Sequence, residues 1–286
     1  MKLSPKTVPY LQVAPLTLVL LVFLGIPFLV VATVSFFEFD DFNVYPAFVL
    51  ASYIELFESK LTYMLYWNTI KYAVMVWAIT LFIGFTVSYF LVFHVRTLLW
   101  KIALFLLCTV PFWTSSVIRM ISWIPFLGRN GIFNQSLIAV GVIDQPLEFL
   151  LFSDFAVVVA YVHLFTLFMV VTLFNSMARI DPAVIEAAVD AGASRWQVIT
   201  QVIIPLSKTG IALGSIFVIA LVMGDFFVVK IMSGGQSASV VLAMSNEIAV
   251  LQYPPAAASA VVLVVVVSLM VAGILRIVDV RKELSG

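Results

Sequence analysis

The sequence predicts an all-α, polytopic membrane protein with about six transmembrane helices, and two observations carry that prediction. Hydrophobic residues make up 63% of the 286 residues, charged residues only 10%, and the mean hydropathy is +1.16. Soluble domains contain about 25% charged residues. The apolar residues are also grouped into runs of the ~20 residues that a helix needs to cross a bilayer. We therefore expect one transmembrane domain over residues 1–286.

Six apolar runs are long enough to be spans: about 11–36, 68–93, 102–125, 155–177, 208–231 and 255–277. The first run follows Lys2 and Lys6, as the apolar part of a signal peptide would. It is, however, longer than the roughly 7 to 15 residues of such a segment, and it contains Pro27. We expect this run to be a retained membrane anchor.

The basic residues between the spans predict the orientation, because short cytoplasmic connections are enriched in Lys and Arg. With the N-terminus inside, ten basic residues fall in cytoplasmic segments: Lys2, Lys6, Arg96, Lys101, Arg179, Arg195, Lys208, Arg276, Arg281 and Lys282. The outer connections hold Lys60 and Arg129. Both termini and residues 181–208 are therefore expected in the cytoplasm. Residues 37–66 and the turn-rich residues 126–153 are expected outside.

Composition argues against several functions. The 15 basic and 15 acidic residues balance, so electrostatics give no support for a nucleic-acid partner. The single cysteine, Cys108, lies in an apolar run and is expected to pack there, and no residue cluster has metal-site spacing. The sequence also lacks the Gly-x-x-x-x-Gly-Lys-Ser/Thr motif that binds nucleotide phosphates. We therefore expect a protein that is not an enzyme and binds neither cofactor nor metal itself.

Residues 181–208 are polar between two apolar runs, and their start and stop signals predict two short helices. Asp181 followed by Pro182 supplies an N-cap carboxylate and a residue favoured in a first helical turn, so a helix should begin there. It should end near Gly192. Small residues four apart leave a smooth face that another backbone can approach. This face and its acidic flanks consist of Glu186, Ala187, Ala188, Asp190, Ala191 and Gly192.

A second short helix is expected over about 195–203. Ser194 and Gln197 have the spacing of a capping box, and Pro205 lacks the N–H that would continue a helix. The pattern between the helices is also typical of a DNA-binding helix-turn-helix. A recognition helix needs several basic residues, however, and this one contains only Arg195. An ordinary amphipathic helix on the membrane surface is the other alternative.

The stretch resembles the cytoplasmic EAA loop of the membrane subunits of binding-protein-dependent ABC importers. That loop has Glu-Ala-Ala, three residues, Gly, nine residues, and Ile-x-Leu-Pro. The matching residues here are Glu186, Ala187, Ala188, Gly192 and Val202-Ile203-Ile204-Pro205, with Val for Ile and Ile for Leu. The resemblance implies a type I ABC importer permease whose coupling residues, Asp190 and Ala193 among them, dock onto an ATPase.

The same resemblance implies a set of partners. They are an ABC ATPase dimer, a second homologous permease subunit, an extracytoplasmic solute-binding protein that meets the outer loops, and membrane lipid. ATP and Mg would be bound by the partner ATPase, since this chain has no P-loop. The expected location is the bacterial inner (cytoplasmic) membrane, as a multi-pass protein.

Two charged residues inside apolar runs predict a substrate path, because a charge in a span costs roughly 2.5 to 3.5 kcal/mol on insertion scales. Arg119 lies 17 residues beyond Ile102, and Asp225 lies 17 beyond Lys208, so a straight helix places both about 26 Å from the cytoplasmic end. We expect them at the outer mouth of the path, either paired or facing a wet cavity. The alternative is that each side chain extends to the outer interface.

The run of residues 110–119, VPFWTSSVIR, predicts a broken helix, since Pro111 frees a backbone carbonyl that Ser or Thr can satisfy. This run and Gly-Val-Ile-Asp at 141–144 resemble the spermidine/putrescine (polyamine) permease subfamily, in particular its first membrane subunit. The resemblance implies import of a polyamine or a related amine or amino-acid-like compound, but permeases for opines and other small organic ions look alike. The candidate path residues are Trp113, Thr114, Arg119, Asp225, Phe226, Glu247 and Tyr253.

The candidate path residues give conflicting indications of the charge of the solute. Asp225, Glu247 and aromatic rings favour an ammonium group, whereas Arg119 suits an anion or a zwitterion equally well. Two other classes of protein are open: an ion-coupled secondary transporter or channel that uses Asp225 and His163 as a relay, and a membrane receptor or scaffold. A secondary transporter or channel would not need the loop at 181–205, and a receptor or scaffold predicts no loss of uptake on deletion.

Two features of the spans have structural explanations. His163 is alternatively a hydrogen-bonding group between helices rather than a proton relay. Gly210 and Gly214, four residues apart, are expected to form a close helix contact.

Overall fold

The structure is a computed structural model that describes residues 8–40 and 43–277. Lys2, Lys6, Arg281 and Lys282, which contribute to the predicted charge asymmetry, lie outside the described residues. The described chain forms two compact units. One contains residues 8–40, 43–63 and 243–265, and the other contains residues 64–242 and 266–277.

The described residues begin with one long apolar helix. It consists of α1 (Val8–Leu20), a π-helical turn (Leu21–Gly25) and α2 (Ile26–Val34). A short antiparallel hairpin, β1 (Glu38–Phe39) and β2 (Val44–Tyr45), follows. Asp40 stabilises the hairpin by accepting hydrogen bonds from the Asn43 N–H at 2.8 Å and the Tyr45 hydroxyl at 2.9 Å. Helix α3 (Ala51–Glu58) ends this stretch.

The next elements run to the middle of the chain. They are α4 (Lys60–Tyr89) with a π-helical turn (Phe90–His94), α5 (Leu98–Thr109) with a 3-10 turn (Val110–Trp113), α6 (Ser116–Ile121), α7 (Trp123–Leu127), α8 (Ile132–Ala139), a 3-10 turn (Glu148–Leu150) and α9 (Asp154–Met177). The predicted turn-rich outer segment therefore contains a helix, α8. Asn134 of α8 is buried and anchors the segment, because its amide bonds the carbonyls of Gly128 and Leu147 and accepts from the Leu147 N–H.

The remaining elements include the predicted cytoplasmic loop. They are α10 (Pro182–Asp190), α11 (Arg195–Gln197), a π-helical turn (Val198–Ile203), α12 (Ile204–Leu206), α13 (Lys208–Met223), α14 (Phe227–Met232), α15 (Val240–Ala249) and α16 (Tyr253–Ile277). Among the described residues, four helices are long and apolar enough to cross a membrane, and up to six if each of two bent pairs is one span.

Two of the predicted spans contain a break. The helix predicted at 102–125 breaks after Trp113, and the segments on either side meet at 92°. The helix predicted at 208–231 ends at Met223, and Gly224 follows as its C-cap. In both cases a conformationally special residue, Pro111 or Gly224, stands at or just before the break.

Glycines allow the helices of the larger unit to pack at short range. A Cβ on Gly84 of α4 would lie 2.6 Å from the Met169 side chain of α9. A Cβ on Gly210 of α13 would lie 2.5 Å from Ser176 Cβ, and one on Gly214 would lie 2.5 Å from Met169 Sδ. The predicted contact through Gly210 and Gly214 is therefore confirmed, with α9 as its partner.

Candidate functional site

The loop between α9 and α13 begins with the helix that the sequence predicts. Asp181 Oδ1 accepts a hydrogen bond from the Ala183 N–H at 2.9 Å, and Pro182 starts α10. The helix ends at Asp190, and Gly192 has a φ of +88°, a conformation that L-residues with a side chain avoid. Both ends of α10 are therefore fixed by local sequence.

The second half of the loop is longer than predicted. The Ser194 side chain accepts from the Gln197 N–H, and the Gln197 side chain accepts from the Ser194 N–H at 2.8 Å, which completes the predicted capping box. The helical segment then continues through Pro205 and ends at Leu206, where it meets α13 at 68°. Pro205 does not stop it because proline is tolerated in the first turn of a helix, and α12 begins at Ile204 after the π-helical turn.

The predicted coupling residues present an open surface. Glu186, Ala187, Asp190 and Gly192 are exposed, and Ala188, Ala193 and Pro205 are half-buried. α10 has no buried residue, and the most exposed large apolar side chains of its part of the loop include Val184 at 45%, Val189 at 55% and Trp196 at 72%. A polar loop that leaves apolar side chains and small residues uncovered fits docking to another protein.

The predicted broken helix at Pro111 is present, and it positions the first group of predicted path residues. The Thr114 hydroxyl donates to the Pro111 carbonyl at 2.8 Å, which is one of the carbonyls left open where the helical segment ends. Trp113 and Thr114 are exposed at the break, and Arg119 follows in α6. Because the helix bends, the straight-helix distance of Arg119 from the cytoplasmic end no longer holds, so its predicted common depth with Asp225 is not supported.

Arg119 points toward a small cavity. The cavity has a volume of about 270 Å³, and Cys108, Phe112, Arg119, His163 and Thr166 are among its lining residues. The guanidinium carbon of Arg119 lies 5.9 Å from the centre of the Phe112 ring, and its Nε is buried without a hydrogen-bond partner among the described residues. This side chain can therefore accept a further partner.

Asp225 lies where α13 ends. Its Oδ1 accepts hydrogen bonds from the Val228 N–H at 2.9 Å and from the Tyr161 hydroxyl at 3.3 Å. Among the described residues the ion pairs are Lys71–Asp154 and Arg129–Glu148, so Asp225 and Arg119 do not pair in this structure. Phe226 lies beside it, with its ring 6.2 Å from the Phe227 ring.

Glu247 and Tyr253 belong to the other compact unit. Glu247 Oε2 is buried without a hydrogen-bond partner among the described residues. Burial raises the pKa of Glu247 above its usual range, and the negative charge of Glu55 raises this pKa further. Tyr253, the first residue of α16, is 44% exposed.

The sequence reasoning missed one cluster of polar residues. Lys71 of α4 forms an ion pair with Asp154 of α9, with Nζ 2.6 Å from Oδ2. The hydroxyls of Tyr72 and Ser237 donate to the other carboxylate oxygen. We call these four residues the Asp154 cluster. Its sequence signal was a lysine inside an apolar run and an aspartate at the start of one, but nothing in the sequence joined them across 83 residues.

Of the two roles predicted for His163, the structure shows the hydrogen-bonding group between helices. The Trp123 Nε1–H donates to His163 Nδ1 at 3.0 Å, and this bond joins α7 to α9. Because Nδ1 accepts this bond, His163 is a hydrogen-bonding group between helices in this structure.

Residues 95–283 match the family described as binding-protein-dependent transport system inner membrane component. The chain belongs to this family. It is the membrane-spanning permease subunit of an ABC importer, a transport subunit, and the ion-coupled alternative is not favoured. The EAA-like loop and the polytopic helical fold are what this family membership leads one to expect.

Two curated relatives are spermidine/putrescine transport system permease proteins PotB. The protein from Escherichia coli K12 is 34% identical over 235 residues, which are 81% of this chain and 82% of the relative. The protein from Haemophilus influenzae is 30% identical over 231 residues, 80% of this chain and 78% of the relative. The inner membrane ABC transporter permease protein YdcU of Escherichia coli K12 is 25% identical and covers 85% of this chain and 81% of its own length.

The fold is similar to chains in solved structures of bacterial ABC transporters. One is a chain in the crystal structure of a bacterial alginate ABC transporter in complex with an alginate pentasaccharide-bound periplasmic protein. It matches with a TM-score of 0.69 at 17% identity, covering 93% of this chain and 91% of that one. A second structure, of a bacterial ABC transporter involved in alginate import, matches with a TM-score of 0.70 at 17% identity, covering 94% and 93%. These likenesses concern the fold.

Proposed function

We propose that this permease imports a polyamine or a related small organic cation across the bacterial inner membrane. It pairs with a second, homologous permease subunit, docks onto an ABC ATPase dimer through residues 181–205, and receives its solute from an extracytoplasmic binding protein. ATP and Mg are bound by the ATPase. Both termini of the chain lie in the cytoplasm, in agreement with its Lys and Arg distribution.

The docking part of the proposal is carried by the open surface of α10. Its ends are fixed by Asp181 and Gly192, so the helix keeps its shape without burying a side chain in its own chain. Val189 and Trp196 are exposed beside the small residues of the coupling face. A partner that covers these side chains removes apolar surface from water, which favours association.

A docked ATPase has a direct mechanical connection to the spans. The helical segment Arg195–Leu206 leads into α13 with Ser207 as the one residue between them. α13 is held tightly against α9, since Gly210 and Gly214 leave no room for a side chain. Movement of the coupling loop when ATP is bound and hydrolysed is therefore expected to move α13 and α9 together, because packed interiors transmit displacement.

The substrate part rests on the PotB relatives and on the acidic groups. Asp225 presents a half-buried carboxylate beside Phe226, and carboxylates and aromatic faces both attract ammonium groups. Glu247, in the other compact unit, is a further acidic residue of the proposed path, and burial raises its pKa and so favours its protonated form. Arg119 forms no ion pair among the described residues, so its charge opposes a cation that comes close to it.

Copurification tests the docking proposal. The chain is tagged in its native host, extracted gently, and its partners are identified by mass spectrometry, for wild type and for Glu186→Lys. Glu148→Lys is the matched control, since Glu148 is also exposed but lies in the expected outer segment. We expect Glu186→Lys alone to lose the ATPase. Equal ATPase recovery with both variants would contradict docking through α10.

Uptake by the reconstituted complex tests the substrate. Proteoliposomes with ATP inside are given radiolabelled spermidine, putrescine or an opine. Accumulation that needs ATP, is lost on ATP depletion and survives collapse of the proton gradient supports the proposal. Uptake of the opine without uptake of either polyamine would assign the permease to another organic ion.

A further inference from the structure

The Asp154 cluster stands at the edge of an apolar cavity. This cavity has a volume of about 520 Å³. The lining includes Met75, Trp123, Asp154, Phe155, Val158 and His163. Asp154 is the acidic residue among those that line the cavity, but the wall itself is apolar, so the carboxylate stands at the rim and not in the wall. Both Asp154 and Lys71 are partly open, with side chains 43% and 30% exposed. We call this space the Asp154 cavity.

The composition of the wall defines the chemistry of a ligand. An apolar cavity favours a hydrocarbon chain, because the chain leaves water on binding. A carboxylate at its edge favours a positively charged hydrogen-bond donor at the end of that chain. A primary alkylammonium, with a methylene chain and a terminal NH₃⁺, has both features.

The protein already carries such a group at this position. The Lys71 side chain is itself four methylenes with a terminal ammonium, and its Nζ lies 2.6 Å from Asp154 Oδ2 and 5.1 Å from the centre of the Tyr72 ring. A carboxylate and an aromatic ring that hold a lysine ammonium are able to hold the ammonium of a free amine in the same way.

We propose that Asp154 is a binding site for a primary alkylammonium group, which exchanges with the tethered ammonium of Lys71 and places its methylene chain in the Asp154 cavity. Tyr72 and Ser237 keep the carboxylate oriented during the exchange, since they bond the oxygen that Lys71 leaves free. The inference rests on the proposed function for its natural ligand, a polyamine, but the site itself is tested with a simpler amine.

The experiment measures binding of hexylammonium to the full chain in nanodiscs of zwitterionic lipid. Saturation-transfer NMR detects contact with the methylenes, and titration gives an apparent Kd. Asp154→Asn is expected to raise this Kd about ten- to hundredfold, because it removes a charge-assisted hydrogen bond. Lys71→Met is expected to lower the Kd about two- to fivefold, because it removes the internal competitor.

The opposite signs separate a binding site from a structural ion pair. Were the pair only structural, both variants would lose binding alike, and the proposal would fail. Arg129→Met and Glu148→Gln, which disrupt the exposed ion pair at 3.7 Å, are matched controls and should leave the Kd unchanged. If Asp154→Asn does not accumulate in the membrane, Lys71→Met still tests the proposal because it keeps the carboxylate. A Kd for hexylammonium that does not fall in Lys71→Met would then contradict the proposal.

A neutral ligand separates an amine site from a lipid groove. Hexan-1-ol has the same chain without the charge and should bind at least about tenfold more weakly than hexylammonium. Equal binding of the two, insensitive to Asp154→Asn, would mean that the cavity takes any acyl chain and would overturn the proposal. If hexylammonium bound as expected but the complex took up no polyamine, the proposed substrate would be refuted and the proposed binding site at Asp154 would not.

Discussion

Asp225 is held by one donor from its own neighbourhood and one from a distant helix. The Val228 N–H is three residues away, whereas the Tyr161 hydroxyl reaches it across 64 residues. The carboxylate is therefore fixed at the end of α13 but only half-buried. A fixed carboxylate that keeps access to solvent is suited to bind a passing cation.

Replacing Asp225 by Asn tests this role. Asn keeps an oxygen that accepts from Val228 and removes only the charge, so the chain should assemble normally while uptake of a cationic solute falls about tenfold or more. Uptake is measured in proteoliposomes at equal amounts of complex. Tyr161→Phe, which keeps the charge, should lose less. Normal uptake by Asp225→Asn would exclude the carboxylate from the path.

Glu247 predicts a pH dependence of stability. Because its pKa is raised on folding, the native chain keeps a proton that the unfolded chain releases, so its contribution to stability is present at low pH and is lost as the pH rises through the folded-state value. Glu247→Gln cannot ionise, and its melting temperature should gain on that of wild type as the pH rises above 4.5, the usual pKa of a glutamate. Glu58→Gln, at an exposed site on α3, is the control and should show no such gain. A difference between Glu247→Gln and wild type that does not change with pH would contradict the prediction.

At the scale of elements, the contact between α9 and α13 depends on two glycines. Their missing side chains bring the helix backbones together over more than one turn, from Gly210 to Gly214. In a membrane, where lipid is as apolar as a leucine side chain, such close van der Waals packing is a main source of helix association. The same pair of helices connects the coupling loop to the rest of the span.

Gly210→Ala should weaken this contact. Its Cβ would lie 2.5 Å from Ser176 Cβ and 2.7 Å from the Thr172 carbonyl oxygen, so the helices must separate, at a cost of about 1–3 kcal/mol. A lower melting temperature in detergent is the expected result. Gly273→Ala in α16 is the matched control, because its Cβ meets nothing within 4 Å. Equal melting temperatures would show that the helices adapt at no cost.

Gly192→Ala should weaken coupling without crowding a neighbour. Nothing lies within 4 Å of the added Cβ, so the effect comes from the φ of +88°, which costs an L-residue about 1–2 kcal/mol. We expect less ATPase recovered with the complex. Gly141→Ala has the same kind of strain, at a φ of +72° with open space around it, and should retain the ATPase. If the two variants recovered equal amounts of ATPase, docking would not depend on the backbone conformation at Gly192.

At the scale of the whole molecule, the proposed assembly depends on which side of the membrane each loop occupies. The coupling loop has to face the compartment that contains ATP, and the segment around α8 has to face the solute-binding protein. Asp190 and Asp144 are exposed residues of these two segments.

Cysteine labelling tests this orientation. In a Cys108→Ser background, which removes the single cysteine, Asp190→Cys and Asp144→Cys are treated with a membrane-impermeant maleimide in intact spheroplasts. We expect labelling at 144 alone, and at both positions after lysis. Labelling at 190 in intact spheroplasts would reverse the orientation and remove α10 from the side that holds ATP.

Local signals in the sequence determined the coupling loop. Asp181, Gly192 and the Ser194–Gln197 pair act within a few residues of themselves, so their effects on α10 and α11 could be predicted and are confirmed. The family resemblance, the polytopic helical class and the break at Pro111 were likewise readable, because each depends on a short motif or on composition.

Only the tertiary structure decided which distant groups meet. It showed that α6 turns by 92° from the preceding helix, that Asp225 bonds Tyr161 rather than Arg119, and that Lys71 bonds Asp154. The physical reason is that a charge inside a span shows that a partner is needed, but it does not show which residue is that partner. Partner choice depends on how helices far apart in sequence pack, and small residues such as Gly84 and Gly214 set that packing through contacts that no local pattern contains.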